Sequence, residues 1–132
     1  MPYIARVAAG KLSTLSVYGN DYPTKDGTGV RDYIHVMDLA DGHLAALDYS
    51  KIHHGWDAIN LGTGTGYSVL EILGEYQKAI GTKIPFDITA RRSGDISSCY
   101  AKVDYAKEKL GWTAKRSLLE MCNSSWNHQK SH

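Results

Sequence analysis

Two Ser-x-x-Glu boxes, Ser68-Val-Leu-Glu71 and Ser117-Leu-Leu-Glu120, set where two of the chain's helices must begin. In such a box the serine hydroxyl accepts from the third helical amide, and the glutamate carboxylate reaches back to the serine N–H. Two donors that a helix start would otherwise leave unpaired are satisfied at once. Behind the first box, Val69, Ile72, Leu73, Tyr76 and Ile80 recur at helical spacing, and Gly81 ends the run. Behind the second, Leu118, Leu119, Cys122 and Trp126 are expected to face inward. Ahead of the first box stand Ala58-Ile-Asn-Leu61 and Gly62-Thr-Gly-Thr-Gly66, which predict a strand, a glycine loop and a capped helix in succession.

The remaining segments alternate in type. Tyr3, Ile4, Val7 and Ala8 share one side of a helical pattern stopped by Gly10. No cap precedes that pattern, as expected of a sequence that opens inside a longer one. Leu15-Ser-Val-Tyr18 and Phe86-Asp-Ile-Thr89 read as short strands, and residues 22–28 as a polar loop. Positions 36, 39, 40, 43, 44 and 47 fall on one helical face, with Val36, Leu39, Ala40, Leu44 and Leu47 as its apolar members. Asp38 and Asp41 sit in the opening turns, where the helix dipole favours negative charge. A further helix is expected from about Asp104 to Leu110, with Gly111 as its stop. Strands and helices that alternate without a repeat place the chain in the α/β or α+β class.

Length and charge narrow the functional classes. The 132 residues suit one domain with a core of its own. Fifteen basic and 14 acidic residues leave a formal charge of +1, so there is no broad polyanion surface and no nucleic-acid partner is expected. Any anion must be held locally. Cys99 and Cys122 lack the spacing of a metal knuckle or a redox pair, which fits a reducing, cytoplasmic compartment. No signal-peptide pattern and no membrane-length apolar run are present in the sequence, so a soluble chain away from membranes is expected.

Several motifs invite a catalytic reading and do not sustain it. Gly62-x-Gly64-x-Gly66 is shaped like a dinucleotide loop, but its third glycine comes one residue early and no acidic residue closes the unit; a tight turn accounts for it. Tyr105 and Lys109 match a Tyr-x-x-x-Lys pattern in a short charged helix with no nucleotide-binding half before it, which reads as a surface pair. The six histidines show no helical metal-ligand spacing with a carboxylate, so no metal is expected. What remains is Arg31 and Arg92, each in a glycine-flanked turn, with Asp95 three residues after the second. Two planar forks of donors suit phosphates and one carboxylate suits ribose hydroxyls, so the trio fits a nucleotide diphosphate.

The run Tyr18-Gly-Asn-Asp-Tyr-Pro-Thr-Lys-Asp-Gly-Thr-Gly-Val-Arg-Asp-Tyr-Ile-His-Val-Met-Asp-Leu-Ala40 closely resembles the UDP-glucose 4-epimerase family of the extended short-chain dehydrogenase/reductases. The resemblance continues through residues 60–69, Ala90-Arg-Arg-Ser-Gly-Asp95 and Leu110-Gly-Trp-Thr-Ala114, covering nearly the whole chain. It implies an α/β fold in which residues 1–132 form the C-terminal, UDP-sugar-binding portion. The NAD-binding Rossmann core, with its glycine loop and its catalytic Ser/Thr and Tyr-x-x-x-Lys groups, would lie upstream of Met1. No catalytic, cofactor-binding or metal residue is then expected in this chain.

Carried over by position, the resemblance puts Ser16 and Tyr18 at the uracil and Arg31 and Arg92 at the diphosphate. Tyr33 and Val69 would line the nucleotide, Asp95 would accept from the ribose, and Cys99 would border the sugar pocket. A small residue at position 99 implies room for a 2-acetamido sugar. The implied activity of the whole enzyme, a homodimer, is NAD-dependent interconversion of UDP-glucose and UDP-galactose in galactose metabolism. This chain alone would be inactive. The alternatives are a non-catalytic UDP-sugar-binding remnant, or another UDP-sugar enzyme of the extended family such as a decarboxylase.

Overall fold

The computed structural model describes residues 1–131. Its secondary structure alternates as the sequence suggests. Helix α1 (Pro2–Ala8) leads through Gly10, at φ 71°, into strand β1 (Leu15–Tyr18). Strand β2 (Val30–Asp32) hands over to helix α2 (Val36–Ser50), and strand β3 (Gly66–Ser68) to helix α3 (Val69–Ile80). Strands β4 (Phe86–Thr89) and β5 (Ser98–Cys99) precede helices α4 (Asp104–Leu110) and α5 (Leu118–Lys130). Strand β1 pairs parallel with β4, and β2 lies between an antiparallel β3 and a parallel β5.

Both capping boxes form. Ser68 Oγ accepts from the Glu71 amide at 3.0 Å, and Glu71 accepts from the Ser68 amide at 2.9 Å. Ser117 and Glu120 repeat the arrangement at 3.3 and 2.7 Å. Gly81 and Gly111 close α3 and α4 in the left-handed conformation, which costs glycine no steric penalty. The core lies where α1, α3 and α5 pack around β1, with Ile4, Val17, Ile72, Leu73, Tyr76 and Cys122 at its centre. Tyr76 and Ser125 link α3 to α5 by hydroxyls 3.2 Å apart.

Three expectations need correction. Residues 58–61 form no strand; this stretch has no ladder partner among the described residues, and the pairing strand follows the glycine loop instead, as β3. In α1 it is Ala5, not Tyr3, that turns inward. In α5 it is Met121 that joins Leu118 and Cys122 in the core, while Leu119 stays exposed, because residues three and four apart share the inward face and Leu119 falls off it. The apolar face of α2 is left open within this chain: Val36, Leu44 and Leu47 are exposed, and the buried positions are Asp38 and Gly42.

Asp38 does more than complement a dipole. Its carboxylate accepts from the amides of Lys115 and Arg116 at 3.0 and 2.9 Å and pairs with the Arg116 guanidinium, fastening α2 to the turn before α5. Burial works to raise its pKa, but those donors outweigh it and hold the carboxyl below its ordinary range. Gly42 lets Leu61 and Trp112 close on the helix, since a Cβ there would stand 2.9 Å from Leu61 and 3.1 Å from Trp112. His35, unforeseen in the sequence, caps α2 by accepting from the Met37 amide through Nδ1 at 3.1 Å.

Candidate functional site

Alternation along β1 separates its two faces. Leu15 and Val17 enter the core, so Ser16 and Tyr18 are turned the other way, beside a cleft. Strand β2 brings Arg31, and the residue just past its end is Tyr33. The first residue of α3 contributes Val69, and the turn after β4 contributes Arg92 and Asp95. These seven residues, drawn from 16 to 95 in the sequence, line one cavity of about 120 Å³.

The charges in it are already organised. Arg92 Nε donates to Asp95 Oδ2 at 2.9 Å, and Arg31 lies 3.8 Å from the other carboxylate oxygen. The Arg92 guanidinium sits 4.7 Å from the centre of the Tyr18 ring, where the ring's negative face attracts it. Arg31 also donates to the Val30 carbonyl at 2.8 Å, which fixes one edge of its fork. Burial pushes the Tyr33 hydroxyl above its ordinary pKa, with Arg31 opposing. It is a neutral donor at physiological pH.

The adjacent arginine has a different task. Arg91 turns away to Asp21, 2.6 Å from its carboxylate, and stacks 4.1 Å over the Tyr22 ring. It thereby clips the loop after β1 onto the loop after β4. Tyr22 and Gly29 complete the cleft, and neither was expected from the sequence. Tyr22 is buried, and its hydroxyl has no hydrogen-bond partner. An adjoining groove of about 570 Å³ shares Ser16, Tyr18, Tyr33, Val69 and Arg92 and runs on past Leu12 and Thr14.

Cys99 stands apart from its expected companions. It is the register partner of Arg31 across β2 and β5, but it is exposed and does not line the cleft. Tyr105 and Lys109 do not line it either. The Tyr105 hydroxyl donates to Asp57 at 2.9 Å, and Lys109 pairs with Glu108 at 2.9 Å. The bond to Asp57 raises the tyrosine pKa, the reverse of what a proton-transferring phenol requires. Among the described residues no cluster of three His, Cys, Asp or Glu side chains could hold a metal, and no helix is long and apolar enough to cross a membrane.

The 62–66 loop offers no cradle for a dinucleotide. The amides of Thr63 and Gly64, which would have to face a pyrophosphate, both donate to the chain's own Asp32. That loop therefore does not fit the pyrophosphate of NAD. What the cleft can do is hold a doubly charged, oxygen-rich group between two guanidinium forks, with aromatic surface on the Tyr18 side.

The sequence pattern of the GDP-mannose 4,6 dehydratase family matches residues 1–125. UDP-glucose 4-epimerase of Bacillus subtilis (strain 168) is 59% identical over 132 residues, covering all of this chain and 39% of that protein. The crystal structure of UDP-glucose-4-epimerase from Stenotrophomonas maltophila, with bound NAD and formylated UDP-arabinopyranose, superposes with a TM-score of 0.95 at 47% identity. That match covers 98% of this chain and 39% of the other. The Bifidobacterium longum enzyme in complex with NAD+ and UDP gives 0.94 at 52% identity, over 99% of this chain and 39% of its own. The chain thus spans about two fifths of the length of these relatives. With sequence and fold in agreement, the chain belongs to the GDP-mannose 4,6 dehydratase family of extended short-chain dehydrogenase/reductases, and it is similar from end to end to UDP-glucose 4-epimerases.

Proposed function

We propose that this chain is the UDP-sugar-binding portion of an NAD-dependent UDP-glucose 4-epimerase. The observation that carries the reading is the convergence of Arg31, Arg92 and Asp95 on one cleft with Tyr18 and Tyr33. In this reading the two guanidinium forks hold the diphosphate by charge-assisted hydrogen bonds. Asp95 exchanges its arginine partners for the ribose hydroxyls. Ser16 and Tyr18 flank the uracil, Val69 packs on the nucleotide, and Cys99 stands on the sugar side, its small size leaving room for a 2-acetamido group.

NAD and the proton-transferring groups belong, in the same reading, to the part of the longer relatives that this chain does not span. The exposed apolar side of α2, with Val36, Leu44 and Leu47, and the fully exposed Trp56 provide a surface for that part to cover. The whole enzyme is read as a cytoplasmic homodimer. The chain's own contribution is to anchor one end of the substrate while the sugar end reacts.

A chimera tests this. Joined behind the first three fifths of the Bacillus subtilis relative, the chain is expected to interconvert UDP-galactose and UDP-glucose. The 132 residues alone, with NAD added, are not. Turnover by the chain alone, or a folded chimera without turnover, contradicts the reading.

A further inference from the structure

The 62–66 loop looks like a phosphate cradle, and it cradles a carboxylate. Asp32 Oδ1 accepts from the Thr63 amide at 3.0 Å and from the Thr63 hydroxyl at 2.5 Å. Its Oδ2 accepts from the amides of Gly64 at 3.0 Å and Ala101 at 3.2 Å. A Cβ on Gly62 would stand 2.5 Å from that same Oδ2 and 2.5 Å from the Ala101 methyl, so glycine is needed for the carboxylate to seat. A backbone of successive N–H groups aimed at one point is an anion site. Here the anion is internal.

The position of this clasp gives it a consequence. Asp32 is the last residue of β2 and lies between Arg31 and Tyr33. Both neighbours line the cleft and Asp32 does not, as alternation on an extended segment requires. The 62–66 loop runs directly into β3, and Ala101 lies two residues past β5. One carboxylate therefore joins segments from both strands that flank β2, and Arg31 is the β2 residue whose register partners are Tyr67 and Cys99.

We infer that Asp32 is a positioning residue for nucleotide binding, acting through Arg31, and that the 62–66 loop exists to hold it. The inference rests on the proposed diphosphate site. With the clasp closed, the backbone at Arg31 is fixed from behind, and the guanidinium meets the ligand already oriented. With it open, β2 keeps its backbone ladders but loses the side-chain tie to the segments beside β3 and β5, and Arg31 must be ordered at the moment of binding, which weakens the complex.

The test is a double-mutant cycle read by UDP titration of the 132-residue chain. Asp32→Ala is expected to weaken UDP binding about tenfold with Arg31 present and less than about twofold in an Arg31→Ala background, because coupled residues are not additive. Gly62→Ala should behave like Asp32→Ala. If Asp32→Ala does not fold by circular dichroism, Thr63→Ala decides; it removes one donor to Asp32, together with the hydroxyl's contacts to Thr65, keeps the three backbone amides, and is expected to weaken binding about threefold, again only with Arg31 present. Unchanged UDP affinity in the folded variants, or an equal loss in both backgrounds, overturns the inference. Failure of the site reading is distinguishable, because Arg31→Ala alone would then leave UDP affinity unchanged.

Discussion

Arg92 and Asp95 close a ring across a single turn: the arginine Nε and a terminal nitrogen both lie 2.9 Å from one carboxylate oxygen. The other oxygen of Asp95 is 3.8 Å from Arg31. One carboxylate therefore keeps two guanidinium groups at the same place. The Arg92 side chain is 60% exposed, and ion pairs that accessible to water contribute little to stability. A pyrophosphate carries more charge than a carboxylate and offers more acceptors. The arrangement is suited to exchange.

The two cysteines should separate cleanly in reactivity. Cys99 is exposed, whereas Cys122 is buried against α1 and α3 and burial pushes its thiol up to about 11. Only the thiolate attacks alkylating reagents, so at about pH 8 Cys122 is protected twice over, by access and by protonation. Iodoacetamide followed by mass spectrometry should find one modified thiol per native chain, at position 99, and two after denaturation. Rapid modification of Cys122 in the native chain would contradict the packing of α5.

Tyr22→Phe should stabilise the ligand-free chain. The Tyr22 hydroxyl is buried without a hydrogen-bond partner, while the ring stays useful under Arg91. Leaving a buried donor unpaired costs about 1–3 kcal/mol, so its removal with the ring retained should raise stability by about 1 kcal/mol. Urea unfolding of both forms measures this. A loss of stability in the variant would mean that the hydroxyl is paired after all.

The Asp38 clasp sets an acid limit. Because its folded pKa lies below its ordinary value of 3.8, the ionised form is favoured by folding. The stability this supplies is present above the ordinary value and is lost as pH falls through the lower folded one. Asp38→Asn should therefore flatten the fall in melting temperature as pH drops below the ordinary carboxylate value of 3.8. It should also lower stability at neutral pH, since the Arg116 guanidinium would lose its buried partner. An unchanged acid limb would contradict this.

Legibility in the sequence followed range. The capped helices α3 and α5 and the strands β1 and β4 were readable because their signals lie within four or five residues. The three-residue β2 and β3 and the two-residue β5 exist only through one another, and residues 58–61 carry strand composition without a partner. Asp32 receives its donors from residues 31 to 69 positions away, so nothing in the glycine loop disclosed what it holds. In the cleft, Arg31, Arg92 and Asp95 were accessible to charge and turn chemistry. Ser16, Tyr18, Tyr33 and Val69 came through the family resemblance, and their gathering with the arginines is seen in the fold. Tyr22 escaped both routes, as a tyrosine in a polar loop carries no sign of whether its ring is buried.

The most direct measurement is calorimetric titration of UDP into the 132-residue chain and its arginine variants. The chain should bind UDP, and Arg92→Ala and Arg31→Ala should each weaken binding by about 1.5–3 kcal/mol, the worth of a charge-assisted hydrogen bond. Lysine at either position should restore only part, since it keeps the charge and loses the planar fork. UDP affinity unchanged in both alanine variants would place the nucleotide elsewhere and contradict the account.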